Sequence, residues 1–231
     1  MSRCLTIEVV VEGPTEHEFV TKVLQPYWAP RGIFVEAPIV RTRIDRSLGR
    51  VYTGGDIRFS RVEKQIGNFL KWRPDVLVAS FVDYYGIKEW PGLDAVRESH
   101  SPSEIAGILN RAAQEAIQQA YPQTKPQERY FPFTAVHEFE ALLYSDAGIL
   151  ARCLHIDRRE VDVVLQECGG PEAINNSPDT APSKRLEKWM HYQYGKTTTG
   201  IEIAQAIGID RMRESCPNFN VWLSSIERLQ S

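Results

Sequence analysis

From Leu5 to Val11 the apolar positions alternate and then run together, with Ile7, Val9 and Val11 on one face and Val10 on the other. That pattern predicts a strand buried on both sides. Gly13-Pro14 ends it, and Phe19, Val20, Val23 and Leu24 recur at helical spacing over Thr15 to Leu24, with Pro14 suited to the first helical position. Ile33 to Val40 reads as a second strand, and Arg41 to Arg61, rich in Arg, Gly and Asp, reads as a long exposed loop. Val62, Ile66, Phe69 and Leu70 mark a helix that stops before Arg73-Pro74, and the most apolar strand of the chain follows from Val76 to Val82, bounded by Asp75 and Asp83.

Ser101-Pro102-Ser103-Glu104 has the form of a capping box, and Ile105, Ile108, Leu109, Ala112 and Ala116 carry a helix from there to about Tyr121. Arg129 to Val136 predicts a strand whose Pro132 argues for an edge or a bulge. His137 to Tyr144 predicts a helix, and from Ala147 onward the pattern is helical with polar loops. Strands alternating with helices imply an α/β fold, a largely parallel sheet with helices on both faces, followed by a C-terminal helical annex. The expected division is residues 1–146 for the core and 147–231 for the annex.

Composition narrows the class without changing this picture. The 231 residues, 42% hydrophobic and 25% charged, suit one large domain or a core with an annex. No stretch approaches the roughly 18 apolar residues of a membrane span. The first residues carry a charge within the opening apolar run and lack a small-residue cleavage site, so a cytoplasmic location is expected. Cys4, Cys153, Cys168 and Cys216 form no Cys-x-x-Cys pair, and the five histidines show no catalytic or metal-binding spacing. A net charge of −3 gives no global attraction to nucleic acid, so any such contact has to be local.

The informative residues are acidic. Parallel sheets bind ligands beyond the carboxyl ends of their strands, and Glu12 stands there after the first strand, with Glu16 four residues on and Gly13 between them. Gly13 allows a sharp turn or a close approach to phosphate. Asp83 holds the same place after the second apolar strand, and His137-Glu138-Phe139-Glu140 repeats the arrangement after the third. Carboxylates gathered at strand ends repel one another unless protonated or bridged by a cation, and magnesium takes one or two carboxylates together with water and phosphate oxygens. First-turn acids also favour a helix N-terminus without any function, which is the plain reading of Glu18 and competes for Glu16, Glu138 and Glu140.

Val9-Val10-Val11-Glu12-Gly13-Pro14-Thr15-Glu16, Phe81-Val82-Asp83-Tyr84-Tyr85-Gly86 and His137-Glu138-Phe139-Glu140-Ala141-Leu142-Leu143, with Pro182-Ser183-Lys184-Arg185-Leu186 and Cys216-Pro217-Asn218-Phe219, resemble a bacterial family of unknown function, domain of unknown function 4276. That family is regarded as Toprim-like and as distantly similar to the overcoming-lysogenization-defect nucleases. The resemblance implies a Toprim-like α/β core in which Glu12 is the first-strand acid, Glu16 the additional glutamate of the nuclease branch and Asp83 the first member of an Asp-x-Asp pair. Tyr85 stands where the second aspartate belongs, leaving Glu138 or Glu140 to supply a carboxylate.

On this reading the metal ligands are Glu12, Glu16, Asp83 and Glu138, the ion is Mg2+ or Mn2+, and Glu12, Asp83 and Lys184 are catalytic in phosphodiester hydrolysis. Arg41, Arg43 and Arg185 would bind nucleic acid, DNA rather than RNA. A neighbouring ATPase and a role in defence against phage are further implications. The alternative is a degenerate Toprim-like module that binds nucleic acid or a partner protein without cutting. Gly195-Lys196-Thr197 is not a phosphate loop, because the earlier glycine is missing at Met190 and a helix precedes it. Thr199 to Met212 has the rhythm of a helix-turn-helix, but it is poor in the basic and amide side chains that read DNA, which favours a packing pair.

Overall fold

Four parallel strands, in the order β2-β1-β6-β8, form the central sheet of the computed structural model. The structure describes residues 4–45, 50–53, 57–174, 179–191 and 193–230, with the backbone alone for 41–45 and 50–53. β1 is Leu5–Val11, β2 Ile33–Glu36, β6 Leu77–Asp83 and β8 Tyr130–Ala135. The remaining strands are short. β3 (Arg41–Asp45) and β4 (Arg50–Thr53) form an antiparallel pair, and β5 (Ile57–Arg58) lies beside β7 (Ile87–Glu89). The expected loop from Arg41 to Arg61 is thus partly strand and then helix. Its charged, glycine-rich composition conceals a hairpin that stays outside the main sheet, where no doubly buried apolar run is needed.

Burial on both faces is what makes β1 and β6 so apolar. Ile7, Val9 and Val11 pack with Ala79, Phe81 and Phe133 against α1 (Pro14–Phe19), its π-helical continuation Val20–Leu24, α2 (Gln25–Trp28) and the C-terminal helices. Val10, Val78, Val82 and Tyr130 face the other way, onto α3 (Phe59–Trp72) and α4 (Pro102–Ala120). The capping box of α4 forms as its sequence requires: the Ser101 N–H donates to Glu104 Oε2 at 2.7 Å and the Glu104 N–H donates to Ser101 Oγ at 3.4 Å. After the short α5 (Pro126–Arg129), β8 closes the sheet as an edge strand, the position at which a strand proline such as Pro132 is tolerated. Two carbonyls of this strand are capped by side chains, Tyr130 by the Gln114 amide at 3.2 Å and Phe131 by Trp222 Nε1 at 3.1 Å.

Beyond β8 a 3-10 helix, Phe139–Ser145, replaces the α-helix expected over His137 to Tyr144. There follow α6 (Ala147–Leu154), α7 (Arg158–Cys168), α8 (Pro182–Trp189), α9 (Thr199–Ile207), α10 (Ile209–Ser215) and α11 (Pro217–Glu227). These helices share one apolar cluster with the sheet. Phe133 lies 4.9 Å from the Trp222 ring and 5.8 Å from Phe219, while Phe81 lies 6.0 Å from Trp222. The helix-turn-helix rhythm resolves into α9 and α10, whose Ile201, Ile203, Ala204, Ile207, Ile209 and Met212 are all buried in that cluster. No described helix is long and apolar enough to cross a membrane.

Candidate functional site

The chain leaves β1 and β6 in opposite directions. α1 packs on one face of the sheet on the way to β2, whereas α4 packs on the opposite face on the way to β8. The carboxyl ends of these two neighbouring strands therefore flank the topological switch point, where α/β sheets open a crevice. Val11 pairs with Phe81, which sets Glu12, one residue on, beside Asp83, the last residue of β6. The Asp83 N–H lies 3.4 Å from Glu12 Oε2 as donor. The Gly13 N–H donates to the buried Glu16 Oε2 at 3.0 Å, which caps α1 and turns that carboxylate back toward the strand end.

Two glycines shape the crevice differently from one another. Gly13 has φ −147° and ψ −173°, extended backbone open to any residue, so no sharp turn explains it. At Gly86 a Cβ would run into the end of the Glu12 carboxylate, so the absent side chain leaves that carboxylate its room. The segment from Asp83 to Gly86 thus wraps the Glu12 carboxylate. Tyr85, within this wrap, is 57% exposed and its ring stacks on His137, centroids 6.1 Å apart at 27°.

The third strand end adds a glutamate pair and a cation. Lys196 Nζ lies 3.2 Å from Glu138 Oε1 and 3.2 Å from Oε1 of the buried Glu140. The Ser183 N–H donates to Glu138 Oε2 at 2.8 Å. Both Glu138 oxygens are therefore engaged, and it is Glu140 whose charge acts on Asp83. Lys184 pairs with Glu187 at 2.7 Å, and Arg185 Nε donates to the Thr180 carbonyl at 2.9 Å, so neither basic side chain contacts a crevice carboxylate. Arg41 and Arg43 lie on β3, with side chains outside the described residues.

Burial and mutual repulsion dominate the electrostatics. Burial, then the neighbouring Glu16 charge, raises Glu12 from 4.5 to about 7. Burial raises Glu16 as well. Asp83 is pushed well above its ordinary value by burial and by the charges of Glu16, Glu12 and Glu140, and its Oδ1 is buried without a hydrogen-bond partner. Glu140 rises to about 7 through burial, against the pull of Lys196. Glu138 moves down, because Lys196 and Ser183 together outweigh its burial. Burial lowers His137 to about 4, leaving it neutral near pH 7.

The structure brings Glu12, Glu16 and Asp83 to one crevice and ties Glu138 to Lys196 at its side. Sequence reasoning passed over Lys196, which stands in the Gly195-Lys196-Thr197 segment; its place depends on how the loop before α9 packs, and no local pattern signals that. The donor set is all carboxylate oxygen, and Asp83 Oδ1 lacks a partner, which fits a hard divalent cation. Among the described residues, no group of three or more His, Cys, Asp or Glu side chains is arranged to hold a metal by itself.

A model of the family described as Domain of unknown function (DUF4276) matches residues 11–227. No curated protein and no solved structure matches the chain.

Proposed function

The chain belongs to this DUF4276 family, and from the chemistry of its own crevice we propose that it is a Mg2+- or Mn2+-dependent nucleic-acid phosphodiesterase of Toprim-like type. The single observation that carries the reading is the gathering of carboxyl groups at the switch point, Glu16 and Glu140 buried and Glu12 and Asp83 half-buried. Glu16 acts on Glu12, and Glu16, Glu12 and Glu140 act on Asp83, with Lys196 as the cation that offsets them. Either protons or a divalent cation must balance that charge. The bound ion would supply an activated water and neutralise phosphate charge. Glu12 and Asp83 would hold it, with Glu16 orienting Glu12 by repulsion and hydrogen-bonded back to Gly13. Lys196 would keep Glu138 and Glu140 in place at the side of the crevice.

DNA as the substrate, a neighbouring ATPase as partner, a role in phage defence and a cytoplasmic setting belong to the same proposal and rest on the family resemblance alone. A second reading, a module that binds nucleic acid or a partner protein without cutting, draws support from Tyr85 standing where a second aspartate would complete the pair. Isothermal titration with manganese, paired with a plasmid-nicking assay, decides between them. The nuclease reading expects manganese heat and slow nicking in the wild type, and loss of both in Glu12→Ala and Asp83→Ala. Absence of manganese binding at millimolar concentration favours the binding module.

A further inference from the structure

Directly beyond Asp83 the chain presents a large aromatic side chain to solvent instead of burying it. Tyr85 is 57% exposed in a 3-10 turn, Tyr84–Gly86, that wraps the Glu12 carboxylate through Gly86. Its ring is nevertheless held. His137 backs it in a stacked arrangement at 6.1 Å and 27°, and Tyr84 meets it edge-on at 5.3 Å and 72°. The backing imidazole comes from the end of β8, one residue before Glu138, so the ring bridges two strand ends of the same crevice.

We propose that Tyr85, backed by His137, is a stacking platform for an unpaired nucleobase, and that the substrate of the crevice is single-stranded nucleic acid. This rests on the phosphodiesterase reading and specifies its substrate class. A base inside a duplex has both faces covered by its neighbours, whereas a base in a single strand has a face to offer, and base–aromatic stacking tolerates any sequence. The ring is already positioned by two contacts, so little rotamer freedom is lost when a base settles on it. The chain's net charge of −3 makes general phosphate attraction weak, which places more of the binding on a contact to the base. A base on Tyr85 would hold its strand beside Glu12 and Asp83.

The test compares an eight-residue oligothymidine with an abasic strand of the same length, by fluorescence anisotropy in millimolar calcium. The wild type should bind the oligothymidine on the order of tenfold more tightly than the abasic strand, in line with the loss of one stacked base. Tyr85→Phe should keep that preference and Tyr85→Ala should lose it. Equal affinity of the wild type for the two strands, including no measurable binding to either, overturns the platform. So does a preference that survives in Tyr85→Ala or disappears in Tyr85→Phe. Manganese titration of the same proteins in calcium-free buffer reads the carboxylates separately: a lost preference with manganese heat intact sinks the platform alone, whereas absent heat in the wild type sinks the metal reading on which it rests.

Discussion

At the scale of single residues, the crevice is a store of protons awaiting a better counter-charge. Glu12 holds its proton up to about 7 in the folded chain, against 4.5 when free, and Glu140 does the same. The native state therefore binds more protons than the unfolded chain between these values. The stability these groups contribute is full below about 4.5 and is lost as pH rises through about 7. For Glu12 the shift corresponds to on the order of 3 kcal/mol. Thermal melts from pH 5 to 8 should show the metal-free melting temperature falling, with a shallower fall in Glu12→Gln, and manganese should raise it more at pH 8 than at pH 5 because the ion binds the deprotonated carboxylates. Equal slopes in the wild type and Glu12→Gln would count against this account. Gly86→Ala tests the same carboxylate sterically. Its Cβ would come closest to the far end of the flexible Glu12 side chain, so the melting temperature should move by a few degrees at most while manganese affinity drops about tenfold or more. Unchanged affinity would mean that the wrap around Glu12 is incidental.

Between elements, the loop ahead of α9 acts as a clasp on the 3-10 helix after β8, and Lys196 is its contact. Replacing Lys196 by Met leaves the buried Glu140 without its cation. Because Lys196 itself is partly exposed, a cost of about 1–3 kcal/mol by urea denaturation is expected, less than for a fully buried pair. Adding Glu140→Gln should recover most of it, whereas additive losses would show that the two side chains are not energetically linked. This clasp also marks the limit of what the sequence made legible. β1 and β6 were readable because strands buried on both faces must be apolar throughout, and Glu12 and Asp83 were readable because they end those runs. Pro132 pointed to an edge or a bulge for the same kind of reason, and β8 lies at the sheet edge. The hairpin of β3 and β4 was not legible, since Arg41-Thr42-Arg43-Ile44-Asp45 has the composition of a loop. Nor was the π-helical stretch Val20–Leu24, which differs from α-helix by one residue per hydrogen bond and leaves the apolar spacing almost unchanged. Lys196 was hidden for a third reason: it reaches Glu138 across 58 residues, a meeting set only by tertiary packing.

For the whole molecule, the question is whether the helices after residue 146 form an annex laid on a finished domain or complete the core on one face of the sheet. Phe81 and Phe133 project from the sheet into a cluster completed by Phe219 and Trp222, and Trp28 from the N-terminal helical segment lies 6.3 Å from Trp222. Trp222 also caps the Phe131 carbonyl on the edge strand, so a C-terminal helix both covers one sheet face and quenches part of its edge. Without α6 to α11, Phe133 and the side of Phe81 turned toward Trp222 would lose the aromatic rings that cover them, leaving an apolar patch that a folded monomer rarely shows to water. The sheet and the C-terminal helices should therefore unfold together. Trp222→Ala should cost about 3–5 kcal/mol and shift a single transition, with circular dichroism and tryptophan fluorescence moving in step. The fragment 1–146 should lack fixed tertiary packing, visible as lost near-ultraviolet dichroism and dye binding to exposed apolar surface. A fragment that instead unfolds cooperatively with native-like near-ultraviolet signal would establish the helices as a separable unit, and would move the burial of the sheet's first face to contacts other than Phe219 and Trp222.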